Sequence, residues 1–364
     1  MFTRASLLIL ILVAAVGSSS CGDSKHQFAY ITTPFNNGVA AFRLNSNTGA
    51  LSEVLGSPYP TGISPTAIRV HPSGKFVYVS NAGENTISLY TVGSTGALTE
   101  VTPRTTTGKQ PADLIMDPGG NLLFVTNSAD NTVSAYSITA NTGALELTSG
   151  SPFQAAGFTP LRGAITPSGK FLYVANSNSA SVSGFAIDSS GGLTPVPHSP
   201  NAVGNGPNWV AVDPAGKFLY VANLQDGTFS GFTIDGTTGQ LTAMSGSPFG
   251  VANTSTTTVP VSSAMVEASG KYLYVTTLAS GNNVYGYNID ATTGAPTSAI
   301  SGSPFAAGDK AVFVVSDTTG DLVFVGNQSS SSVSGFKIDK SNGALSLVST
   351  TSTGSAPTSM FLIK

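Results

Sequence analysis

Short apolar runs recur along the chain at intervals near fifty residues, each closed by Gly, Pro, Asn or Ser. They read Phe76-Val77-Tyr78-Val79, Leu123-Phe124-Val125, Phe171-Leu172-Tyr173-Val174, Phe218-Leu219-Tyr220-Val221, Tyr272-Leu273-Tyr274-Val275 and Leu322-Val323-Phe324-Val325. The runs are too short for helices and lack the apolar/polar alternation of a half-exposed strand, so they predict strands buried on both faces. Before each run stands a turn: His71-Pro72-Ser73-Gly74-Lys75, Asp117-Pro118-Gly119-Gly120-Asn121, Thr166-Pro167-Ser168-Gly169-Lys170, Asp213-Pro214-Ala215-Gly216-Lys217, Glu267-Ala268-Ser269-Gly270-Lys271 and Asp317-Thr318-Thr319-Gly320-Asp321. The glycines of these turns are 46 to 54 residues apart, a period suited to one four-stranded propeller blade.

A second turn occurs seven times, at Gly49, Gly96, Gly143, Gly191, Gly239, Gly294 and Gly343, each preceded by Ser, Thr or Asn pairs. Glycine supplies the positive φ of such hairpins, and the short polar side chains bond back to nearby backbone. Within a unit the order is strand, Pro-Gly turn, strand, polar turn, strand, Thr-Gly turn, strand; in the second unit these strands fall near 67–70, 76–80, 86–91 and 97–102. Six copies of the first turn against seven of the second are reconciled at the chain ends. Phe28-Ala29-Tyr30-Ile31-Thr32 matches a second strand, and Met360-Phe361-Leu362-Ile363 matches a first strand. The pattern therefore predicts an all-β, seven-bladed β-propeller with four-stranded blades, its first blade closed by the C-terminal strand. The Gly-Ser-Pro-Phe segments at 150–153, 246–249 and 302–305, with Gly56-Ser57-Pro58-Tyr59, read as links from an outer strand toward the next inner strand.

Composition agrees with a folded, turn-rich chain: 41 glycines and 21 prolines stand beside 40% hydrophobic residues. Only 9% of residues are charged and the net charge is −3, which excludes a nucleic-acid binder built on phosphate neutralisation. The N-terminus has the form of a secretory signal: Arg4, an apolar run from Leu7 to Val16, then Gly17 to Ser20. Cys21 is the only cysteine, so no internal disulfide forms, and its place after small residues resembles a lipidation site, with Ser18 where leucine is usual. The division expected is residues 1–20 as signal peptide, 21–27 as a lipidated or flexible leader and 28–364 as one propeller domain. Export to the bacterial cell envelope follows, with a lipid anchor at the outer membrane or cell surface as the only membrane contact. A monomer is expected.

Candidate chemistry is sought on the inner strands, which approach the propeller axis. Four positions before the turn residue stand Ala67, Asp113, Arg162, Trp209, Ser263 and Phe313, and Arg69 lies two further along its own strand. Two of the five arginines in the chain are thus on inner strands, where burial is costly unless they are paired, and an Arg162–Asp113 interaction is expected. Arg69, Asp113, Arg162 and Glu267 are the candidate catalytic residues. Trp209 and Ser263 are candidate ligand contacts. An arginine would hold a carboxylate or a developing oxyanion while Asp113 or Glu267 positions water; the bland alternative is that this set plugs the channel and registers the blades. The three histidines, His26, His71 and His198, read as leader or surface residues. No metal site, phosphate-binding loop, dinucleotide fingerprint or Gly-x-Ser-x-Gly elbow is present, and no cofactor is expected.

Tyr78-Val79-Ser80-Asn81, Phe124-Val125-Thr126-Asn127, Tyr173-Val174-Ala175-Asn176, Tyr220-Val221-Ala222-Asn223 and Phe324-Val325-Gly326-Asn327 resemble the Tyr-Val-Thr-Asn repeat of a propeller family. With the Pro-x-Gly-Lys turns and Thr-Gly hairpins, the chain is similar over residues 28–364 to the bacterial lactonase family of seven-bladed propellers, of the 6-phosphogluconolactonase type, related to fungal muconate-lactonising enzymes. The resemblance implies hydrolysis of a cyclic ester by a His/Arg/Glu constellation, which the three histidines here do not match. Two functions are therefore expected in order: an envelope propeller that binds a small molecule, glycan or envelope protein, and, as the alternative, an exported lactonase-like hydrolase.

Ring closure by the C-terminal strand has a measurable consequence. Met360, Phe361, Leu362 and Ile363 would each contribute about 1.5–3 kcal/mol gross on full burial, together comparable to the whole net stability of a domain, about 5–15 kcal/mol. Deleting residues 357–364 is expected to abolish the cooperative melt and the near-UV spectrum; an unchanged midpoint would contradict closure.

Overall fold

The computed structural model describes residues 27–251 and 259–363. The expected signal peptide, Cys21 and His26 lie outside the described residues. Seven antiparallel sheets are arranged in a ring, with the inner strands Pro65–Val70, Pro111–Met116, Pro160–Ile165, Pro207–Val212, Val261–Val266, Ala311–Ser316 and Ser359–Ile363 around the axis. The first blade is assembled from both ends of the chain: Phe28 pairs with Ile363, Tyr30 with Phe361 and Thr32 with Ser359. Blades are numbered from this one in chain order. Each second strand is buried along its length, as at Phe76–Asn81, Phe171–Asn176 and Phe218–Asn223.

The buried second strand of one blade meets the Thr-Gly turn of the next. The tyrosine of a second strand donates its hydroxyl to the carbonyl of the Thr-Gly glycine in the next blade: Tyr30 to Gly96, Tyr78 to Gly143, Tyr173 to Gly239, Tyr220 to Gly294 and Tyr274 to Gly343, at 2.6–3.0 Å. Burial raises these phenols well above their ordinary pKa, so they stay protonated donors. Two residues earlier on the same strand an aromatic ring lies against the same glycine. A Cβ at Gly239, whose φ is +73°, would meet the Phe171 ring at 2.4 Å, so both the backbone conformation and the close approach require glycine. Blade 7 carries Phe324 in place of tyrosine, and there Ser349 donates to Gly49 of blade 1 at 2.7 Å.

The asparagine that ends each repeat motif ties its own hairpin. Asn127 donates to Thr132 and Ser134, Asn176 to Ser181 and Ser183, and Asn327 to Ser332 and Ser334. At the same end of the ring, side chains of the second-to-third-strand turns lock adjacent blades. Asn37, Asn85 and Asn131 accept from the backbone N–H of Ser64, Gln110 and Thr159 at 2.8–2.9 Å. This end is called the lower face, and the end bearing the Pro-Gly turns the upper face.

The Gly-Ser-Pro segments differ from the expected role of simple links toward the next blade, because they dock on the third strand of their own blade. Ser151 accepts from Ala135 N–H at 2.9 Å, and Phe153–Gln154 pairs with Thr132 and Val133. Five blades gain a short fifth strand this way, whereas blade 2 runs one long outer strand, Leu98–Thr106, along the same edge. The serine hydroxyl explains the motif: it satisfies a strand N–H where the ladder is interrupted.

The inter-blade tyrosine bond carries a stability prediction. Tyr173→Phe leaves the buried Gly239 carbonyl without its donor and is expected to cost about 1–2 kcal/mol with an unchanged denaturant slope. Urea titration followed by near-UV circular dichroism measures it; a loss below a few tenths of a kcal/mol would show that the bond does not clamp the blades.

Candidate functional site

Inner strands bulge just before the residue nearest the axis, between Pro65 and Ala67 in blade 2 and between Pro207 and Trp209 in blade 5. In blade 4 the interruption is larger, with register lost from Pro160 to Gly163, so Arg162 stands off the ladder. Gly163 follows because a Cβ there would approach the Tyr173 carbonyl oxygen to 2.8 Å. Released from strand register, the Arg162 side chain reaches across the axis, where Nη2 donates to the carbonyls of Thr66 and Thr358, in blades 2 and 1, at 3.1 and 3.2 Å.

Asp113 gathers the two arginines. Its Oδ1 accepts from Arg162 Nη1 at 3.0 Å and from Arg69 Nη2 at 3.3 Å, and its Oδ2 accepts from Gly163 N–H at 3.1 Å. The carboxylate is 1% exposed and the guanidinium side chains are 17% and 22% exposed, so the anion lies beneath the cations. Desolvation by the surrounding strands pulls the Arg69 guanidinium below its ordinary pKa; Asp113 opposes this and Arg162 reinforces it. Aromatic faces complete the setting, with the Arg162 guanidinium 5.5 Å from the Trp209 ring centre and that of Arg69 5.7 Å from Phe361. With Asp117 also on the wall of the cavity they line, the lining holds two guanidinium groups and two carboxylates.

This cluster forms the floor of an upper-face cavity of about 520 Å³, walled by Val70, Ile115, Met116, Val212, Met265 and Phe361. Arg162 and Trp209 also line a second cavity of about 420 Å³ that opens on the lower face. They form the partition between the two. The expected Arg162–Asp113 pair is present, and Arg69 and Trp209 join it.

Two candidates are placed elsewhere. Glu267 turns back on its own Pro-Gly-type turn, accepting from the N–H groups of Ser269 and Lys271 and from the Ser269 hydroxyl, and it lines a separate cavity with Lys340. Its place at the strand end gives the carboxylate nearby turn donors, as it does for Asp213 and Asp317. Ser263 is fully buried with its hydroxyl bonded to Thr276 at 2.5 Å, and it lines neither axial cavity. His71 belongs to the blade 2–blade 3 contact, its Nε2 donating to Gly120 O at 2.9 Å while Nδ1 accepts from Ser73 N–H. His198 is exposed, at φ +59° in a turn position where other repeats have glycine.

Sequence reading missed two wall residues. Phe361 occupies the position in the C-terminal strand that Arg69 holds in blade 2, as their shared tyrosine-opposed register shows. Asp117, read as a turn residue, also lines the upper cavity while accepting from Leu122 and Gly119 N–H. The first was legible from the repeat register; nothing in the sequence distinguished the second from other turn aspartates.

A ring of seven blades, each built on four antiparallel strands, with a charged pocket on its axis defines a seven-bladed β-propeller. The family model described as lactonase, 7-bladed beta-propeller, matches residues 21–158 and 164–362, and the chain belongs to that family. Among solved structures, a putative 6-phosphogluconolactonase from Bacteroides fragilis superposes with a TM-score of 0.78 at 19% identity, covering 94% of this chain and 99% of that one. A putative 6-phosphogluconolactonase from Bacteroides uniformis gives 0.78 at 17% identity, covering 93% and 99%. The periplasmic gluconolactonase of Pseudomonas aeruginosa gives 0.76 at 16% identity, with the same coverage of 93% and 99%. At these identities the likeness shows the fold. No curated protein matches the sequence.

The charge arrangement predicts unequal costs for its members. Asp113→Asn leaves two neighbouring, partly buried guanidinium groups without their counter-ion and is expected to destabilise the chain by about 2–4 kcal/mol, below the full cost of breaking a buried pair. Arg69→Met keeps the Arg162–Asp113 pair and is expected to cost distinctly less. Denaturant midpoints of the two variants check the order; equal losses would contradict Asp113 as the hub.

Proposed function

We propose that the chain is an exported lactonase-type hydrolase that opens a cyclic ester in the upper cavity. The observation that carries this reading is the pair of guanidinium groups collected by one buried carboxylate at the floor of a pocket of suitable size. Membership of the lactonase family supports it. In this reading Arg69 and Arg162 donate to the carbonyl oxygen of the lactone, and they bind it more strongly as it becomes an oxyanion. Water adds to the carbonyl carbon, the ring C–O bond breaks, and the ring oxygen leaves as a hydroxyl. The products are a hydroxycarboxylate and one proton. Asp113, with both oxygens engaged by Arg69, Arg162 and Gly163, is a positioning residue that aims the guanidinium groups. Asp117 is the other carboxylate on the wall, and in this reading it orients the attacking water.

The names of the related structures point to sugar lactones, and the two guanidinium groups supply donors for the carboxylate that ring opening creates. The N-terminal signal and Cys21 support an envelope location with a lipid anchor, and the periplasmic location in the name of the Pseudomonas aeruginosa relative agrees with export. A second reading is a binding module without turnover. It is favoured by one observation: the described residues lining the upper cavity include no Ser, Thr, Cys or His, so the pocket offers charge and shape without a side-chain nucleophile.

A pH-stat assay across chemically varied lactones separates the two. The hydrolase reading expects proton release that falls about 10²–10³-fold in kcat in Arg69→Gln, the usual loss for one oxyanion donor, and falls also in Arg162→Ala and Asp113→Ala variants that still melt cooperatively. Absence of proton release above the buffer rate throughout the panel, with saturable binding of the opened acids, would establish the binding reading instead.

A further inference from the structure

The lower cavity is a pocket of different chemistry from the upper one. Its volume of about 420 Å³ lies within the range of small-molecule sites. Pro34, Leu161, Leu224 and Val312 supply apolar walls, and Trp209 forms part of its inner end. The lining contains no carboxylate, and its single cation, Arg162, is already committed: Nη1 bonds Asp113, and Nη2 bonds the carbonyls of Thr66 and Thr358. Charged ligands therefore find no free counter-charge there. At its rim Ser64 N–H donates to Asn37 Oδ1 of the neighbouring blade, and Phe35 and Ile63, next in sequence to the lining residues Pro34 and Ser64, are exposed.

One lining side chain has hydrogen-bonding capacity to spare. Asn208 Nδ2 donates to the Ser262 carbonyl at 2.7 Å, which identifies the other amide atom as the oxygen. That oxygen, Oδ1, is buried and has no partner among the described residues. An unsatisfied buried acceptor is unfavourable, and a ligand hydroxyl would relieve part of that cost.

We infer that the lower cavity is a second binding site, separate from the hydrolytic one, for an uncharged aromatic alcohol of the phenol class. The ring packs among the apolar walls near Trp209 and the hydroxyl donates to Asn208 Oδ1 after a small adjustment of the amide. Because Trp209 and Arg162 form the partition between the cavities, occupation of the lower site is sensed on the upper side by the same two residues.

Trp209 is the only tryptophan, so a single indole N–H resonance reports on the partition. The experiment titrates the full folded domain with p-cresol, and in parallel with 4-methylanisole, which has the same ring without the donor, and with benzoate. A saturable indole shift is expected for p-cresol, with affinity about 2- to 10-fold above that for 4-methylanisole, the worth of one neutral hydrogen bond. No saturable shift is expected with benzoate below ten times the p-cresol dissociation constant. Asn208→Leu is expected to erase the p-cresol advantage, Ala112→Phe to fill the cavity and abolish binding, and Leu224→Asp to weaken it at the mouth. Arg69→Ala, on the upper side, is expected to leave the p-cresol affinity within twofold. Absence of saturation with p-cresol overturns the site, as does binding that survives Leu224→Asp and Asn208→Leu unchanged. Tighter binding of benzoate than of p-cresol also overturns it. Binding is read without turnover, so this result stands apart from whether any lactone is hydrolysed.

Discussion

The molecule depends on one inter-blade contact repeated around the ring. In five of the seven blades the second strand presents an aromatic ring and, two residues later, a tyrosine hydroxyl to a single glycine of the following blade, so apolar burial and a directed hydrogen bond act at one point; in blades 3 and 7 Leu122 and Leu322 take the place of the ring. A sheet with two apolar faces is not stable alone; it needs a neighbour on each side, and the ring provides both without leaving a terminal blade. The hydroxyl adds direction to what would otherwise be sliding contact between greasy surfaces. Blades 3 and 7 carry Phe124 and Phe324 in place of the tyrosine, and at the blade 7–blade 1 junction Ser349 supplies the donor to the Gly49 carbonyl instead.

The rigid ring is what makes the axial charge cluster tenable. Arg69, Asp113 and Arg162 come from blades 2, 3 and 4, and their geometry is set by how those inner strands approach each other. A carboxylate at 1% exposure would be a heavy desolvation load if unpaired; two guanidinium groups and a backbone N–H compensate it. The guanidinium groups, more exposed than the carboxylate they share, then face the upper cavity. Arg162 also bonds carbonyls on the far side of the axis, so the same residue that shapes the pocket divides the channel in two.

This division gives the two ends of the propeller separate chemistry. The upper pocket sets two guanidinium groups and two carboxylates beside Trp209 and Phe361, and the lower pocket joins apolar walls to hydroxyl groups and the unpartnered Asn208 oxygen. Relatives at 16–19% identity keep the same ring, because the repeated positions build blades whatever stands at the axis. Function in this architecture is written at the few inner-strand positions that the repeat leaves free.

The sequence by itself determined the number of blades, their strand order and the closure of blade 1 by residues 359–363, since the two turns and the continuous apolar strands recur in register. It also marked Asp113, Arg162 and Trp209, because they break the repeat at an otherwise permissive position. What it left undecided was where side chains point once strands bulge. Glu267, equally acidic and near the same strand end, is consumed by turn N–H groups, and Ser263, in register with Trp209, is buried against Thr276. Arg162 reaches the axis through a two-residue loss of register that no pattern announced. Blade count is set by local periodicity, which a linear sequence displays directly; the convergence of three blades on one carboxylate is set by strand curvature and inter-blade distance, which exist only once the ring has closed.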